Sequence, residues 1–226
     1  IDLATDPAKH DIGWHSRIIR LPIYPTPQDA DPGWVTCTAG ERDQYKALIQ
    51  MAVDYCVSKG VYVIIDWHYI ADYGDKLDET QGFWDWAAPT FKNYTNVLFE
   101  IYNEPIAHSN GGQPGADKTW ATWKTTIAQP VADRIRNTHG ASNLILVGAP
   151  NWSQFLADAD TNPVAGGNIV YVAHIYPYHW EGKDQSPAAP IGDLSRFLGN
   201  TINTKPVFFT EWGFQEGAAI PCDADN

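Results

Sequence analysis

Two glutamates close apolar runs of this 226-residue chain in the same manner. Glu104 ends "LFEIYNEPI", fenced by Asn103 and Pro105, and Glu211 ends "FFTEWG", just before Trp212. Asn and Pro are ordinary strand terminators, and an acid beside them is ordinarily a solvated turn residue. Other apolar runs end as usefully. Arg20 stands in "IIRLPI", His68 in "IIDWH", Asn151 and Trp152 follow "LILVGAP", and His174 and Tyr176 stand in "VAHIYPYH". If these ends share one rim, two carboxylates from separate strands face each other beside a guanidinium and two imidazoles. Such a pair suits cleavage of a glycosidic bond, where one acid protonates the leaving oxygen and the other carboxylate attacks or activates water.

The elements that must position these groups alternate along the chain. Apolar runs predict strands at residues 17–24, 61–68, 96–102, 143–149, 168–176 and 206–210. Helical spacing predicts helices at 41–59, 80–94, 118–138 and 191–202, the first with Tyr45, Leu48, Ile49, Ala52, Val53, Cys56 and Val57 on its apolar stripe and Gly60 at its end. "VYVIIDWH" is too continuously apolar for a half-exposed antiparallel strand, so the sheet is expected to be parallel and covered on both faces. Strands joined by helical crossovers make a doubly wound sheet or a closed (β/α) barrel. No glycine-rich phosphate fingerprint follows any strand, which leaves the α/β barrel as the expected fold and removes the support for a nucleotide cofactor.

Composition narrows the partners. Fifteen basic against 27 acidic side chains give a net charge of −12, which repels phosphate backbones and anionic lipid, and no apolar run approaches the length of a membrane span. Neither nucleic acid nor membrane is an expected partner. Ten Trp and eleven Tyr suit flat apolar ligands such as sugars, although rings of this size also fill barrel exteriors. Trp212 and Trp180 are the candidates for sugar-stacking rings. Cys37, Cys56 and Cys222 are an odd count; Cys56 falls on a helical apolar stripe, while Cys37 and Cys222 lie in loops and are free to pair with each other or elsewhere.

Several motifs have blander readings. Asp66 is expected to be an inter-strand polar partner, and a lone His68 or His174 is ordinarily structural, with only a shared rim making it a site residue. A metal held by His68, His174 and a glutamate lacks paired helical His spacing, so no metal is expected. The acidic run 72–79 lacks the order of a calcium loop and reads as solvated. Asn93 and Asn151 fit the glycosylation acceptor pattern, but a glycan on Asn151 would obstruct the rim.

Taken as a set, "IIRLPI", "IIDWH", "IYNEP", "VAHIYPYH" and "FFTEWG", in this order and on these strands, resemble glycoside hydrolase family 5, the cellulase family of the clan A retaining hydrolases. The resemblance runs from Arg20 to Trp212. It implies a (β/α)8 TIM barrel, with the six strands read here corresponding to strands 2 to 7. It implies Glu104 as acid/base and Glu211 as nucleophile, their carboxyl groups about 5 to 5.5 Å apart as in retaining enzymes. Arg20 would keep Glu211 ionised, Asn103 would bond the sugar 2-hydroxyl, Tyr176 would bond the nucleophile, His174 would border the pair, and His68 would contact the sugar before the scissile bond. The implied activity is that of a secreted, monomeric endo-β-1,4-glucanase acting on a β-linked polysaccharide. A β-mannanase shares the same catalytic residues, and a non-catalytic carbohydrate-binding barrel would not need both glutamates. Strands 1 and 8, and the tryptophan the family places at the end of strand 8, are not found. The chain, read as one catalytic domain over 1–226, is therefore expected to be a partial record of a longer barrel.

Overall fold

In the computed structural model, residues 1–6, 8, 15–28, 31–110, 113–176 and 197–213 are described. Six parallel strands, β1 (Ile18–Ile23), β2 (Tyr62–Trp67), β3 (Val97–Glu100), β4 (Ile145–Val147), β5 (Ile169–Ile175) and β6 (Val207–Trp212), pair in sequence order. The connections carry α1 (Ala39–Ser58), α2 (Leu77–Phe91) and a continuous helical stretch over residues 120–138. Strands so ordered would lie about 24 Å apart, first to last, in a flat sheet. Yet the Arg20 guanidinium of β1 and the Glu211 carboxylate of β6 meet at 2.6 Å. The sheet is therefore curled into an open part of a (β/α) barrel, as the sequence predicts. Among the described residues no further strand joins β1 or β6 in this sheet.

Alternation along the strands divides the core in two. Ile64, Leu98, Leu146 and Val172, with Phe208 against them, form a small apolar layer on the concave face. Their neighbours Val63, Ile65, Phe99, Ile145 and Val147 face outward and join the larger core with Trp67, Trp84, Trp120 and Trp123. The aromatic surplus is thus mostly packing between strands and helices, where large rings bury most area.

Local signals account for the helices. Thr38 opens α1 with a capping box, its side chain accepting from Glu41 N while Glu41 accepts from Thr38 N at 2.7 Å. Gly60, at φ +66°, follows its end in the left-handed conformation that favours glycine. The buried stripe of α1 is narrower than the spacing predicts: Ile49, Val53 and Cys56 are inside, whereas Leu48 and Val57 are exposed. Residues 120–138 contain Pro130, whose missing N–H breaks the helical ladder. Wider π-type turns at Lys124–Ala128 and Arg134–Thr138 flank the segment that holds it. The strand expected over 96–102 ends at Glu100, and that expected over 143–149 covers only Ile145–Val147. The helix expected over 191–202 lies largely outside the described residues. No described helix is long and apolar enough to cross a membrane.

Candidate functional site

The polar residues stand above the inner apolar layer, at the carboxyl ends of the strands. Asp66 and Glu100 are register partners on β2 and β3, so two carboxylates lie side by side in a buried face. Arg20, reaching in from β1, resolves the repulsion. Its Nε donates to Glu100 Oε2 at 2.6 Å, Nη1 to Glu211 Oε1 at 2.6 Å and Nη2 to Asn103 Oδ1 at 2.6 Å, with Nη2 also 3.0 Å from Asp66 Oδ2. A guanidinium presents its donors as a rigid fork, which no other side chain can do for three carboxylates at once. Burial and the Glu100 charge still push Asp66 up to about 6, against the opposing His68 bond and Arg20 charge. Asp66 is thus the inter-strand partner the sequence suggests, and it fixes His68 through Nδ1 at 2.5 Å. His68 stands at the margin of the network, edge-on to Tyr24 with ring centres 4.7 Å apart.

Glu104 is positioned by pairing, not by a turn. Glu104–Pro105 forms a short parallel pair with Ile70–Ala71. Asn103 N donates to Trp67 O at 3.0 Å, Glu104 N to Tyr69 O at 2.8 Å and Ile106 N to Ala71 O at 2.9 Å. Pro105, which has no N–H to give, falls between the donors of Glu104 and Ile106 and leaves this local ladder intact. The segment is held from the other side by residues 151–153, where Ser153 Oγ donates to Asn103 O at 2.6 Å and Asn151 N to Ile106 O at 3.2 Å. Asn151 is fully buried, accepting from Lys118 and donating to Gln154, so it is closed to a glycan.

His174, on β5, joins the glutamates. Its Nδ1 lies 2.7 Å from Glu104 Oε1 and 3.6 Å from Glu211 Oε2, and its Nε2 lies 3.1 Å from Thr210 Oγ1. Burial opposes charge on this ring, but the carboxylates of Glu100, Glu104 and Glu211 raise it to about 9. Tyr176 donates its phenol to Glu211 Oε2 at 2.8 Å. For Glu211 burial works toward protonation, and it is outweighed by the charges of His174 and Arg20 and the bonds from Tyr176 and Arg20. Its carboxyl sits below the ordinary range. Oxygens of Glu104 and Glu211 and a His174 nitrogen lie within 4.8 Å of one another. That triangle offers three ligand atoms, but both ring nitrogens already face oxygens, so a cation there would have to displace bonds the protein makes. His68, bonded to Asp66, is not part of it.

The structure brings together Arg20, Asn103, Glu104, His174, Tyr176 and Glu211, and leaves His68 beside them. Trp212 follows Glu211 but is 72% exposed, and Trp180 and Cys222 lie outside the described residues. Cys37 is buried, its thiol donating to Trp34 O at 3.1 Å. The acidic run is not merely solvated: Asp72 accepts from Gly74 N at 2.8 Å and Ser109 N at 2.9 Å, tying in a hairpin of His108–Asn110 and Gln113–Asp117 that the sequence does not suggest. Glu100 and Thr210, both within the network, are also missed. The available signal was a carboxylate inside "VLFE", a strand buried on both faces, where an unpaired charge is prohibitively costly.

A family model described as cellulase (glycosyl hydrolase family 5) matches residues 6–226. Endoglucanase E-5 of Thermobifida fusca is 32% identical over 222 residues, covering 94% of this chain and 41% of that protein. An endoglucanase of Halalkalibacter akibai is 30% identical over 213 residues, covering 88% and 25% respectively. Among solved structures, the catalytic domain of T. fusca endoglucanase Cel5A (E5) is 31% identical with a TM-score of 0.65, covering 88% of this chain and 59% of that one. The β-glucanase SdGluc5_26A of Saccharophagus degradans, in complex with cellotetraose, is 27% identical with a TM-score of 0.72, covering 92% and 62%. The chain thus spans a quarter to two fifths of these curated relatives and about three fifths of the solved chains.

Proposed function

This chain belongs to glycosyl hydrolase family 5, the cellulase family, and on that premise we propose that it carries the catalytic site of a retaining endo-β-1,4-glucanase, with Glu211 as nucleophile and Glu104 as acid/base. The observation that carries the reading is the approach of the two carboxylates. One oxygen of each lies within 4.8 Å of one of the other's, an approach in keeping with the carboxyl separation of about 5 to 5.5 Å of a retaining pair.

The environments divide the roles. Glu211 has Arg20 on one oxygen and the Tyr176 phenol on the other, and is kept ionised for attack on the anomeric carbon. Glu104 has His174 on Oε1, leaving Oε2 to carry the proton to the departing glycosidic oxygen. The glycosyl-enzyme ester so formed is then hydrolysed by water, with Glu104 taking a proton from that water and Glu211 released as carboxylate. Asn103 supports the same assignment. Its Oδ1 is fixed by Arg20, while its buried Nδ2 has no acceptor among the described residues and is available to a sugar 2-hydroxyl. The substrate is a β-linked glucan polymer. Since such a polymer cannot cross a membrane, the enzyme acts outside the cell, as a monomer.

The test is product stereochemistry by proton NMR on a cello-oligosaccharide. Initial release of the β-anomer is expected; initial α-anomer defeats the double displacement. Faster turnover of galactomannan than of carboxymethylcellulose would move the assignment to a β-mannanase.

A further inference from the structure

The mechanism leaves two buried carboxylates unused, Asp66 and Glu100, and the second of them reaches both halves of the site. Glu100 is wholly inaccessible, yet both of its oxygens are engaged, and they serve different halves of the site. Oε2 accepts from Arg20 Nε at 2.6 Å, and Arg20 in turn donates to Glu211. Oε1 accepts from Thr210 Oγ1 at 2.8 Å. A hydroxyl that has given its one hydrogen can only accept from its other neighbour, and that neighbour is His174 Nε2 at 3.1 Å. The ring must therefore donate from Nε2 to Thr210. At Nδ1 it meets Glu104 Oε1 at 2.7 Å.

Thr210 reaches this position through a β-bulge. On β6, Phe209 pairs with Ala173 and Glu211 with His174, consecutive residues of β5, so Thr210 is an extra residue in the ladder. In a regular strand Thr210 and Glu211 would point to opposite faces. The bulge, a device that re-aims side chains beside active sites, turns both into the barrel.

We infer that Glu100 and Thr210 are positioning residues that join the two catalytic carboxylates into one hydrogen-bonded unit, Glu100 holding Arg20 against Glu211 with one oxygen and, through Thr210, holding His174 as a two-way donor against Glu104 with the other. Seen from His174, the charged and titratable groups that face it are Glu104 and Glu100 from the β3 side and Glu211 from β6, with Tyr176 and Arg20 one contact further on. Three carboxylates and one accepting hydroxyl around an imidazole favour a doubly protonated ring. That positive charge is one of the forces holding Glu211 ionised. Thr210, though it touches no substrate atom, thus acts on the nucleophile through His174. The inference rests on the roles given above to Glu104 and Glu211, and its first readout does not depend on them.

That readout is nitrogen-15 NMR of the imidazoles in the wild-type protein, with His174 assigned by comparison with His174→Asn. Both ring nitrogens of His174 are expected to be protonated at neutral pH, with a titration midpoint near 9. In Thr210→Val, which keeps the volume and removes the acceptor, the midpoint should fall by one pH unit or more. Thr210→Ser should restore it. A neutral His174 ring in the wild type overturns the inference without any variant. So does a folded Thr210→Val protein whose His174 midpoint is unchanged. If the proteins prove inactive but the His174 titration behaves as expected, the functional assignment fails and the coupling stands.

Discussion

Arg20 and Glu211 lie 191 residues apart in sequence and 2.6 Å apart in space, on strands at opposite ends of a six-stranded sheet. The contact requires the curl of the sheet and, together with the His174 charge, helps hold the carboxylate ionised. Replacing Arg20 by Ala would strand Asp66 and Glu100 as buried charges without their counterion, at a cost of about 3 to 5 kcal/mol. Arg20→Lys is the sharper probe, because it keeps the charge but cannot supply Nε, Nη1 and Nη2 in their fixed directions. We expect a folded protein with a large loss of kcat and an acid limb displaced upward. A pH profile with the wild-type acid limb would show that Arg20 does not control Glu211.

Glu104→Ala should cripple cleavage of polysaccharide yet spare the first step on an aryl glycoside whose leaving group needs no proton, whereas Glu211→Ala should abolish both. Burst kinetics on a dinitrophenyl cellobioside distinguish the two. Equal behaviour on both substrates would exchange or erase the roles.

The site residues were legible because apolar runs lead to them: Asn103, Glu104, His174, Tyr176 and Glu211 stand at or just past the ends of such runs, whereas Arg20, expected at a strand end, lies inside β1 and reaches the other groups by the length of its side chain. Glu100 and Thr210 were not, because both lie inside runs and read as strand interior. Thr210 joins the site only through a bulge, one extra residue whose presence alternation cannot reveal. The aromatic residues misled for a different reason. Composition counts rings but not the face they take, and Trp67, Trp84, Trp120 and Trp123 all turned away from the concave side to fill the layer under the helices. The Asp72 anchor depends on Ser109, 37 positions away, a pairing no local pattern announces.

Stability should carry the mark of His174. Its pKa is raised from 6.5 to about 9 on folding, so the stabilisation is fully present below pH 6.5 and is lost as pH rises toward 9. Denaturant unfolding followed across that interval should show stability falling with pH, and His174→Asn should flatten this part of the profile. A variant that keeps the wild-type slope between pH 6.5 and 9 would place the titrating group elsewhere.

The last expectation concerns the turn that holds the acid from behind. Asn151, Trp152 and Ser153 have φ of 59°, 56° and 57°, three consecutive side-chain-bearing residues in the left-handed region. Each costs about 1 to 2 kcal/mol relative to the right-handed form, so the turn persists only because its surroundings fix it. Two of its bonds run to the two sides of Glu104, from Ser153 Oγ to Asn103 O and from Asn151 N to Ile106 O. Ser153→Ala leaves the Asn103 carbonyl without its donor and should destabilise the protein by about 1 to 3 kcal/mol, with kcat falling more than KM changes. Gly148→Ala should do the same by another route, since a Cβ at 148 would land on Ser153 Oγ and drive the hydroxyl off the carbonyl. Both substitutions break one bond, so the double variant should cost clearly less than the sum of the two. Unfolding free energies for the four proteins of the cycle decide the matter: strict additivity would mean that Gly148 and Ser153 do not act through the same contact.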